Sequence, residues 1–116
     1  MWILRVKEKF DAAHFIPNHP GKCKNLHGHT WKVEIFIKVK DIDKGTGISI
    51  DFSQIKKDLR EILPDHKFLN QIFDFPPSAE NISRYIYKKL KEKGYNILKV
   101  VLWETEKNGV EYFEEI

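Results

Sequence analysis

The sequence predicts an α+β fold in which two helices cover one face of an antiparallel sheet. Two stretches near the start of the chain alternate apolar and polar side chains, two amphipathic segments follow, and two strand-like segments end the chain. The predicted order is therefore ββααββ, and a hairpin on each side of a helix pair implies antiparallel strands with the helices on one face. We expect a single domain over residues 1–116, because a chain of this length forms one core.

The first two strands are predicted by alternation. From Trp2 to His14 the even positions are mostly apolar and the odd positions mostly charged, so one face of the strand is buried. After a loop that contains Pro and Gly residues, the pattern resumes over residues 27–39 with the apolar side chains at odd positions. His14, His27 and His29 all fall on the apolar faces, at strand ends that the connecting loop would bring together.

Capping residues mark the two helices. Asp51 can accept a hydrogen bond from an early backbone N–H and Gln54 can reach back to it, as in a capping box, and Pro64 ends this first helix. The second helix is predicted to begin after Ser78, its N-cap, and to end at Gly94.

The last two strands are predicted over residues 98–105 and 110–113. The dipeptide Asn108-Gly109 lies between them, and this dipeptide favours the two-residue turn of a tight hairpin. We therefore predict a tight hairpin at this end of the chain.

Composition excludes several classes of protein. The single cysteine, Cys23, cannot form an intramolecular disulfide, which excludes a disulfide-stapled secreted scaffold. The formal net charge is +3, but the lysines are scattered among acidic residues, so nucleic acid is not an expected partner. Apolar runs are short and Arg5 follows Met1 closely, so we expect neither a membrane span nor a signal peptide. We expect a soluble, cytoplasmic protein.

The His27-Gly28-His29 segment is a candidate metal site. Alternation places both imidazoles on the same side of a strand, roughly 7 Å apart at Cα, which is close enough to share one ion. His14 could supply a third nitrogen, and three imidazoles leave a tetrahedral zinc with one open position, as in catalytic sites. The alternative is that these are ordinary histidines with hydrogen-bond partners.

Cys23 is a candidate base, because positive charge from Lys22, Lys24 and a metal would favour its thiolate. Two other interpretations stay open: an unreactive thiol, and a fourth zinc ligand that would close the site and make it structural.

Three acidic or polar segments complete the candidates. Asp65 can orient the neighbouring His66 for proton transfer, although adjacent residues seldom achieve the required geometry. Glu104 lies at an even position, on the same face of its strand as the apolar residues of the even positions before it. A buried carboxylate needs a partner, and the N–H pair of a pterin or guanine would supply one. The alternative is that Glu104 lies at the surface and pairs with a lysine. The helix start at 78–81 offers free backbone donors to a ligand, and simple capping explains it equally well.

Six blocks of residues occur together in one order. They are Phe10 to His14, Cys23 to His29, Gly47 to Phe52, Asp65 to Asn70, Ser78 to Asn81 and Trp103 to Thr105. In these blocks the chain resembles, nearly from end to end, the 6-pyruvoyltetrahydropterin synthase and 6-carboxytetrahydropterin synthase family. The C-x-x-x-H-G-H block is the most specific piece.

The resemblance implies a fold and a set of site residues. The fold is the T-fold, or tunnelling fold, whose subunits join sheet edges into a trimeric barrel, with two trimers stacked as a homohexamer. The implied roles are Zn2+ binding by His14, His27 and His29, general base catalysis by Cys23, a proton relay across a subunit boundary by Asp65 and His66, anchoring of the pterin by Glu104, and a pocket lined by Thr105, Ser78, Ala79 and Glu80. Some members carry a hydroxyl residue at the position of Ala79.

The implied activity is that of a zinc-dependent carbon–oxygen lyase acting on 7,8-dihydroneopterin triphosphate. The short loop before His27 favours the 6-carboxy branch, which loses triphosphate and acetaldehyde and serves 7-deazaguanine (queuosine-type) biosynthesis. A further branch that carries Glu in place of the loop cysteine is disfavoured, because residues 18–26 contain no acid. The alternatives are a 6-pyruvoyl synthase, which only eliminates triphosphate, a pterin- or purine-binding protein without turnover, and a structural zinc module.

Overall fold

The computed structural model describes residues 1–114 and contains one sheet with helices packed on one side of it. The elements in chain order are β1 (Trp2–His14), a 3-10 turn (Lys22–Lys24), β2 (His27–Val39), α1 (Phe52–Ile62), β3 (Lys67–Phe68), α2 (Leu69–Ile72), α3 (Ala79–Glu92), β4 (Ile97–Trp103) and β5 (Gly109–Tyr112). The sheet has the strand order β3-β1-β2-β4-β5. The predicted α+β class and the ββααββ order of the main elements are confirmed.

The β1–β2 hairpin forms the centre of the sheet. Its strands pair antiparallel over their whole length, from Trp2 opposite Val39 to His14 opposite His27. The alternation predicted from the sequence is confirmed, because even positions of β1 and odd positions of β2 face the helices. The paired strand ends bring the predicted histidines to one end of the sheet.

The core lies between the sheet and the long helices. Ile55 and Leu59 of α1 are fully buried with Ile35 and Val100 of the sheet. Fully burying a side chain of this size contributes roughly 1.5–3 kcal/mol. Other fully buried residues of α3 and the sheet include Ile82, Ile86, Leu90, Trp31, Ile37 and Leu102. This packing holds the sheet face that carries the histidines.

Both predicted helix caps are present. The Asp51 side chain accepts from the backbone N–H of Ser53 at 2.8 Å, and Ser78 Oγ accepts from the backbone N–H of Asn81 at 3.2 Å. The second half of the predicted capping box is wrong: the Gln54 side chain donates instead to Asp58, one turn further along α1. This i, i+4 pair satisfies the Gln54 amide within the helix.

Two features of the sheet differ from the sequence prediction. The two-residue β3 pairs in parallel with β1 at Ala12 and Ala13, so the sheet is mixed at this edge and antiparallel elsewhere. A strand of two residues carries no periodicity that a sequence could reveal. The predicted Asn108-Gly109 turn is also wrong, because Gly109 already pairs with Trp103 and a five-residue loop over 104–108 joins the strands.

The loop that replaces the tight turn has a structural reason. The Asn108 carbonyl accepts from the backbone N–H groups of Glu104 and Thr105, which closes the loop one residue before Gly109. A Cβ at Gly109 would lie 2.7 Å from the Trp103 ring, so glycine is required there by close packing. None of the helices formed by residues 1–114 has the length and apolar character needed to span a bilayer.

Candidate functional site

Three histidines meet at the end of the β1–β2 hairpin. His14 and His27 are paired residues, and His29 lies one pleat further along β2 on the same face. The ring centroids are 4.6 Å apart for His14 and His27, 5.2 Å for His14 and His29, and 4.7 Å for His27 and His29. One ligand atom from each histidine and a carboxylate oxygen of Glu104 all lie within 4.8 Å of one another. The predicted convergence of the three imidazoles is therefore present.

Backbone carbonyls orient two of these rings. Nδ1 of His14 lies 2.7 Å from the Pro77 carbonyl, and Nδ1 of His27 lies 2.7 Å from the Asn25 carbonyl. A carbonyl can only accept, so each ring carries its proton on Nδ1 and presents the Nε2 lone pair. Sequence analysis missed Pro77 and Asn25, because a backbone acceptor leaves no signal in residue type.

The cluster contains buried nitrogen atoms without partners. Within residues 1–114, Nε2 of His14 and Nε2 of His29 are buried and make no hydrogen bond. An unsatisfied buried polar atom costs about 1–3 kcal/mol, so such atoms point to a missing ligand. Three convergent imidazole nitrogens are a donor set that zinc accepts. The residues present therefore fit a bound metal ion.

Burial favours the neutral form of two of these imidazoles, His14 and His29. It lowers the pKa of His14 and of His29 below the ordinary value of 6.5, and the nearby negative charge of Glu104 opposes this shift in both. The His14 ring also donates to the Pro77 carbonyl, which favours the protonated form but does not outweigh burial. Neutral imidazole is the form that binds a metal, so the site is prepared for one at neutral pH.

Glu104 lies beside the histidines, directly after β4. Its Oε1 is 3.1 Å from Nε2 of His29, within ion-pair distance but outside hydrogen-bond geometry. The side chain keeps 28% of its exposure, so one part of it is open to a ligand. Among residues 1–114, the partner of this carboxylate is His29 and not a lysine at the surface. The carboxylate can therefore serve either the metal or a bound molecule next to it.

The other predicted pocket residues are committed to local structure. Thr105 Oγ1 accepts from the backbone N–H groups of Lys107 and Asn108 within the β4–β5 loop. Ser78 caps α3, Ala79 is buried, and Glu80 is exposed. Ser78 Oγ is occupied by capping, so contacts with a ligand at this point would come from free backbone donors.

Cys23 lies in the 3-10 turn between the two histidine-bearing strands and is half-buried. Its carbonyl accepts from the backbone N–H of Ile16 at 2.6 Å. Within residues 1–114 its sulfur is not part of the group of ligand atoms around the histidines. The arrangement does not support the alternative in which Cys23 closes the metal site.

Asp65 and His66 form a second cluster, on the other side of the sheet. Asp65 Oδ1 accepts from the backbone N–H of Asp11 at 2.9 Å, and Oδ2 lies 3.0 Å from Nδ1 of His66. The positive φ of His66, 55°, makes this contact between neighbours possible. The hydrogen bond from Asp11 holds the pKa of Asp65 below its ordinary value.

This second cluster does not meet the histidines within one chain. Asp11 precedes Ala12 in β1, and Ala12 is the residue paired with His29 on the helix-facing side. Successive side chains of a strand point to opposite faces, so Asp11 and its partners lie on the face away from the helices. The described chain brings together His14, His27, His29 and Glu104, and it keeps Asp65 and His66 apart from them.

Comparison with known proteins gives consistent matches over the whole chain. A family model described as "6-pyruvoyl tetrahydropterin synthase" matches residues 3–115. A Synechocystis sp. protein named 6-carboxy-5,6,7,8-tetrahydropterin synthase is 34% identical, with 97% of this chain and 94% of that protein covered. A protein of the same name from Haemophilus influenzae is 32% identical, with 98% and 100% covered.

A solved structure shares the architecture. The 6-pyruvoyl tetrahydropterin synthase of Caenorhabditis elegans superposes with a TM-score of 0.84 at 25% identity, with 98% of this chain and 96% of that chain covered. The fold expected from the resemblance, the tunnelling fold, is thereby confirmed.

Proposed function

Because the chain belongs to the 6-pyruvoyl tetrahydropterin synthase family, we propose that it converts 7,8-dihydroneopterin triphosphate to 6-carboxy-5,6,7,8-tetrahydropterin. One water molecule is the second reactant, triphosphate and acetaldehyde are the other products, and zinc is the cofactor. The 6-carboxy product is supported by the names of the two relatives described above and by the short loop before His27. The observation that carries the proposal is the cluster of three imidazoles, in which Nε2 of His14 and Nε2 of His29 are buried and unpaired.

His14, His27 and His29 hold the metal in this proposal. A zinc ion bound to them would supply Lewis-acid stabilisation of negative charge on the oxygens of the substrate side chain. The carbonyls of Pro77 and Asn25 keep two of the rings in the tautomer that binds it.

Cys23 is the general base and takes a proton from the substrate side chain. Lys22 and Lys24 lie on either side of it in the turn. Asp65 and His66 return protons to the pterin ring, which is reduced at the expense of the side chain, so no external reductant is needed. Because these two residues lie on the opposite sheet face, they act in the site of a neighbouring subunit.

Glu104 anchors the pterin ring by accepting hydrogen bonds from its 2-amino pyrimidinone edge. Its partial exposure and its position next to His29 support this role. Thr105, Ser78, Ala79 and Glu80 line the same pocket. Ala79 has no hydroxyl, so this chain makes one side-chain contact fewer than members that carry one.

A homohexamer, built as a dimer of trimers, supplies the neighbouring subunit. The long outer edge of β1 is paired by β3 only at Ala12 and Ala13, and β5, at the other edge, has four residues. An open edge offers backbone donors and acceptors to another chain. We place the enzyme in the cytoplasm, in the synthesis of 7-deazaguanine nucleosides, without nucleic-acid or membrane partners.

Incubation of zinc-loaded protein with 7,8-dihydroneopterin triphosphate, followed by mass spectrometry, tests the proposal. We expect the 6-carboxy product, its loss in Cys23→Ala, and its retention in the control Lys56→Ala, which changes an exposed residue of α1. Activity that survives in Cys23→Ala would refute the role of the thiol. Release of triphosphate with a 6-pyruvoyl product would favour the second candidate, which the likeness to the C. elegans enzyme supports. Binding without turnover would indicate a pterin-binding protein.

A further inference from the structure

The side chain of Asn70 is bonded at both ends to one backbone residue. The Phe15 N–H donates to Asn70 Oδ1 at 2.9 Å, and Asn70 Nδ2 donates to the Phe15 carbonyl at 2.9 Å. Both contacts are partly buried and join residues 55 positions apart. Because Phe15 directly follows His14, the carboxamide fixes the backbone at the end of β1.

The position of Asn70 explains this arrangement. β3 pairs in parallel with β1 only through Lys67 and Phe68, and the chain then turns into α2 at Leu69. The backbone can no longer continue the ladder beyond Ala13. A carboxamide presents its carbonyl oxygen and one of its two N–H groups on the same side, as the C=O and N–H of one strand residue are presented to a neighbouring strand, so the Asn70 side chain replaces the missing strand residue.

The same backbone segment holds the turn that carries Cys23. The residue after Phe15 is Ile16, and its N–H donates to the Cys23 carbonyl at 2.6 Å. At the other end of the turn, the Asn25 carbonyl accepts from His27. No residue of the turn Lys22–Lys24 is fully buried, so the hydrogen bonds at its ends contribute to where it lies.

We propose that Asn70 is a positioning residue, which sets the place of the Cys23 thiol relative to the three histidines through the backbone of Phe15 and Ile16. The inference rests on the proposed function in one respect, that Cys23 is the base. Asn70 does not contact the histidines themselves, which the β1–β2 ladder holds independently. It therefore affects the thiol and leaves the metal site intact.

One near-isosteric change, one truncation and one control test this role in the full-length, zinc-loaded protein. Asn70→Asp keeps the acceptor for Phe15 N–H but replaces the donor by an oxygen that repels the Phe15 carbonyl. Asn70→Ser removes the two-point contact without adding charge. Gln71→Ala, at the exposed next position of α2, is the matched control. The measurements are zinc content, kcat and KM, and the rate of Cys23 alkylation by iodoacetamide as a function of pH.

We expect both Asn70 variants to lower kcat by about 10- to 100-fold with KM within twofold, since a displacement of about 1 Å can cost that much. Zinc content should be unchanged, and the pH profile of alkylation should differ from that of wild type and of Gln71→Ala. A variant with a raised KM and unchanged kcat, or an alkylation profile like that of the control, would overturn the proposal. If Asn70→Asp does not fold, Asn70→Ser decides by the same criteria.

Failure of the proposed function is distinguishable from failure of this inference. If the wild-type protein shows no turnover, the proposed reaction is wrong, and the alkylation profile alone decides the role of Asn70. An altered profile in the Asn70 variants then supports positioning of the turn, and an unaltered profile overturns it.

Discussion

Replacing His29 by leucine should have opposite effects on the protein with and without metal. Without metal, Nε2 of His29 is buried and unpaired, and such an atom costs about 1–3 kcal/mol. Leucine removes this atom and leaves Glu104 partly solvated, since that side chain is 28% exposed. We therefore expect the metal-free His29→Leu protein to be as stable as wild type or more stable.

With zinc bound, His29→Leu should instead be less stable than wild type. At a free zinc concentration 100 times the dissociation constant, binding adds about 2.7 kcal/mol to the free energy of unfolding of the wild-type protein. For a chain of 116 residues, about 4 °C of Tm corresponds to each kcal/mol, so the wild-type Tm should rise by about 10 °C. His29→Leu loses one of three imidazole ligands and should lose most of this rise.

Thermal unfolding in chelator and in excess zinc measures both effects. The matched control is His19→Leu, because His19 does not belong to the group of metal-binding candidates, and its zinc-dependent rise in Tm should equal that of wild type. A full zinc response in His29→Leu, or no zinc response in wild type, would show that the three imidazoles do not share one ion.

Three further outcomes are expected. Glu104→Gln should raise the dissociation constant for a pterin ligand at least tenfold, measured by calorimetry. The reason is that an NH2 donor replaces one of the two carboxylate oxygens that accept from the N–H groups of the ring. Unchanged binding would contradict the anchoring role. Gly109→Ala should lower the Tm and broaden the tryptophan spectrum, because the new Cβ would lie 2.7 Å from the Trp103 ring; a Tm equal to that of wild type would mean that the ring moves freely. Tyr95→Phe should weaken the pH dependence of the free energy of unfolding at both the acidic and the alkaline end of the pH range. The Tyr95 hydroxyl donates to Asp58 and lowers its pKa, a stabilisation present above the ordinary value of 3.8 and lost as the pH falls below it. Burial and the same contact raise the pKa of Tyr95, a stabilisation present below the ordinary value of 10 and lost as the pH rises above it. Denaturant unfolding from pH 2 to 11 checks this, and identical curves for both proteins would contradict it.

Much of the fold followed from local patterns. Alternation located β1 and β2 and assigned their buried faces, because side-chain direction in a strand has a period of two. The caps Asp51 and Ser78 marked both long helices, because a side chain that satisfies a free N–H acts over two or three residues. Local patterns gave a wrong prediction where the decisive contact was not local. The Asn108-Gly109 dipeptide predicted a tight turn, but Gly109 is required by its contact with the Trp103 ring.

The candidate site also contains features that local sequence patterns predict and features that they do not. The three histidines were predictable because His14 and His27 are paired residues of one hairpin, and His29 is one pleat from His27. The sequence could not reveal that the Pro77 carbonyl, 63 residues from His14, orients that ring. It also could not reveal that Glu104 lies 3.1 Å from His29.

Residue types and their spacing were thus enough to specify β1 and β2, the starts of the two long helices and the set of candidate metal ligands among the histidines, since each depends on neighbours along the chain. Packing of distant segments was needed to separate Asp65 and His66 from the histidines and to join Asn70 to Phe15. These relationships depend on how the sheet edge, α2 and the loop before α3 come together, and a contact between segments 55 residues apart has no periodicity in the sequence.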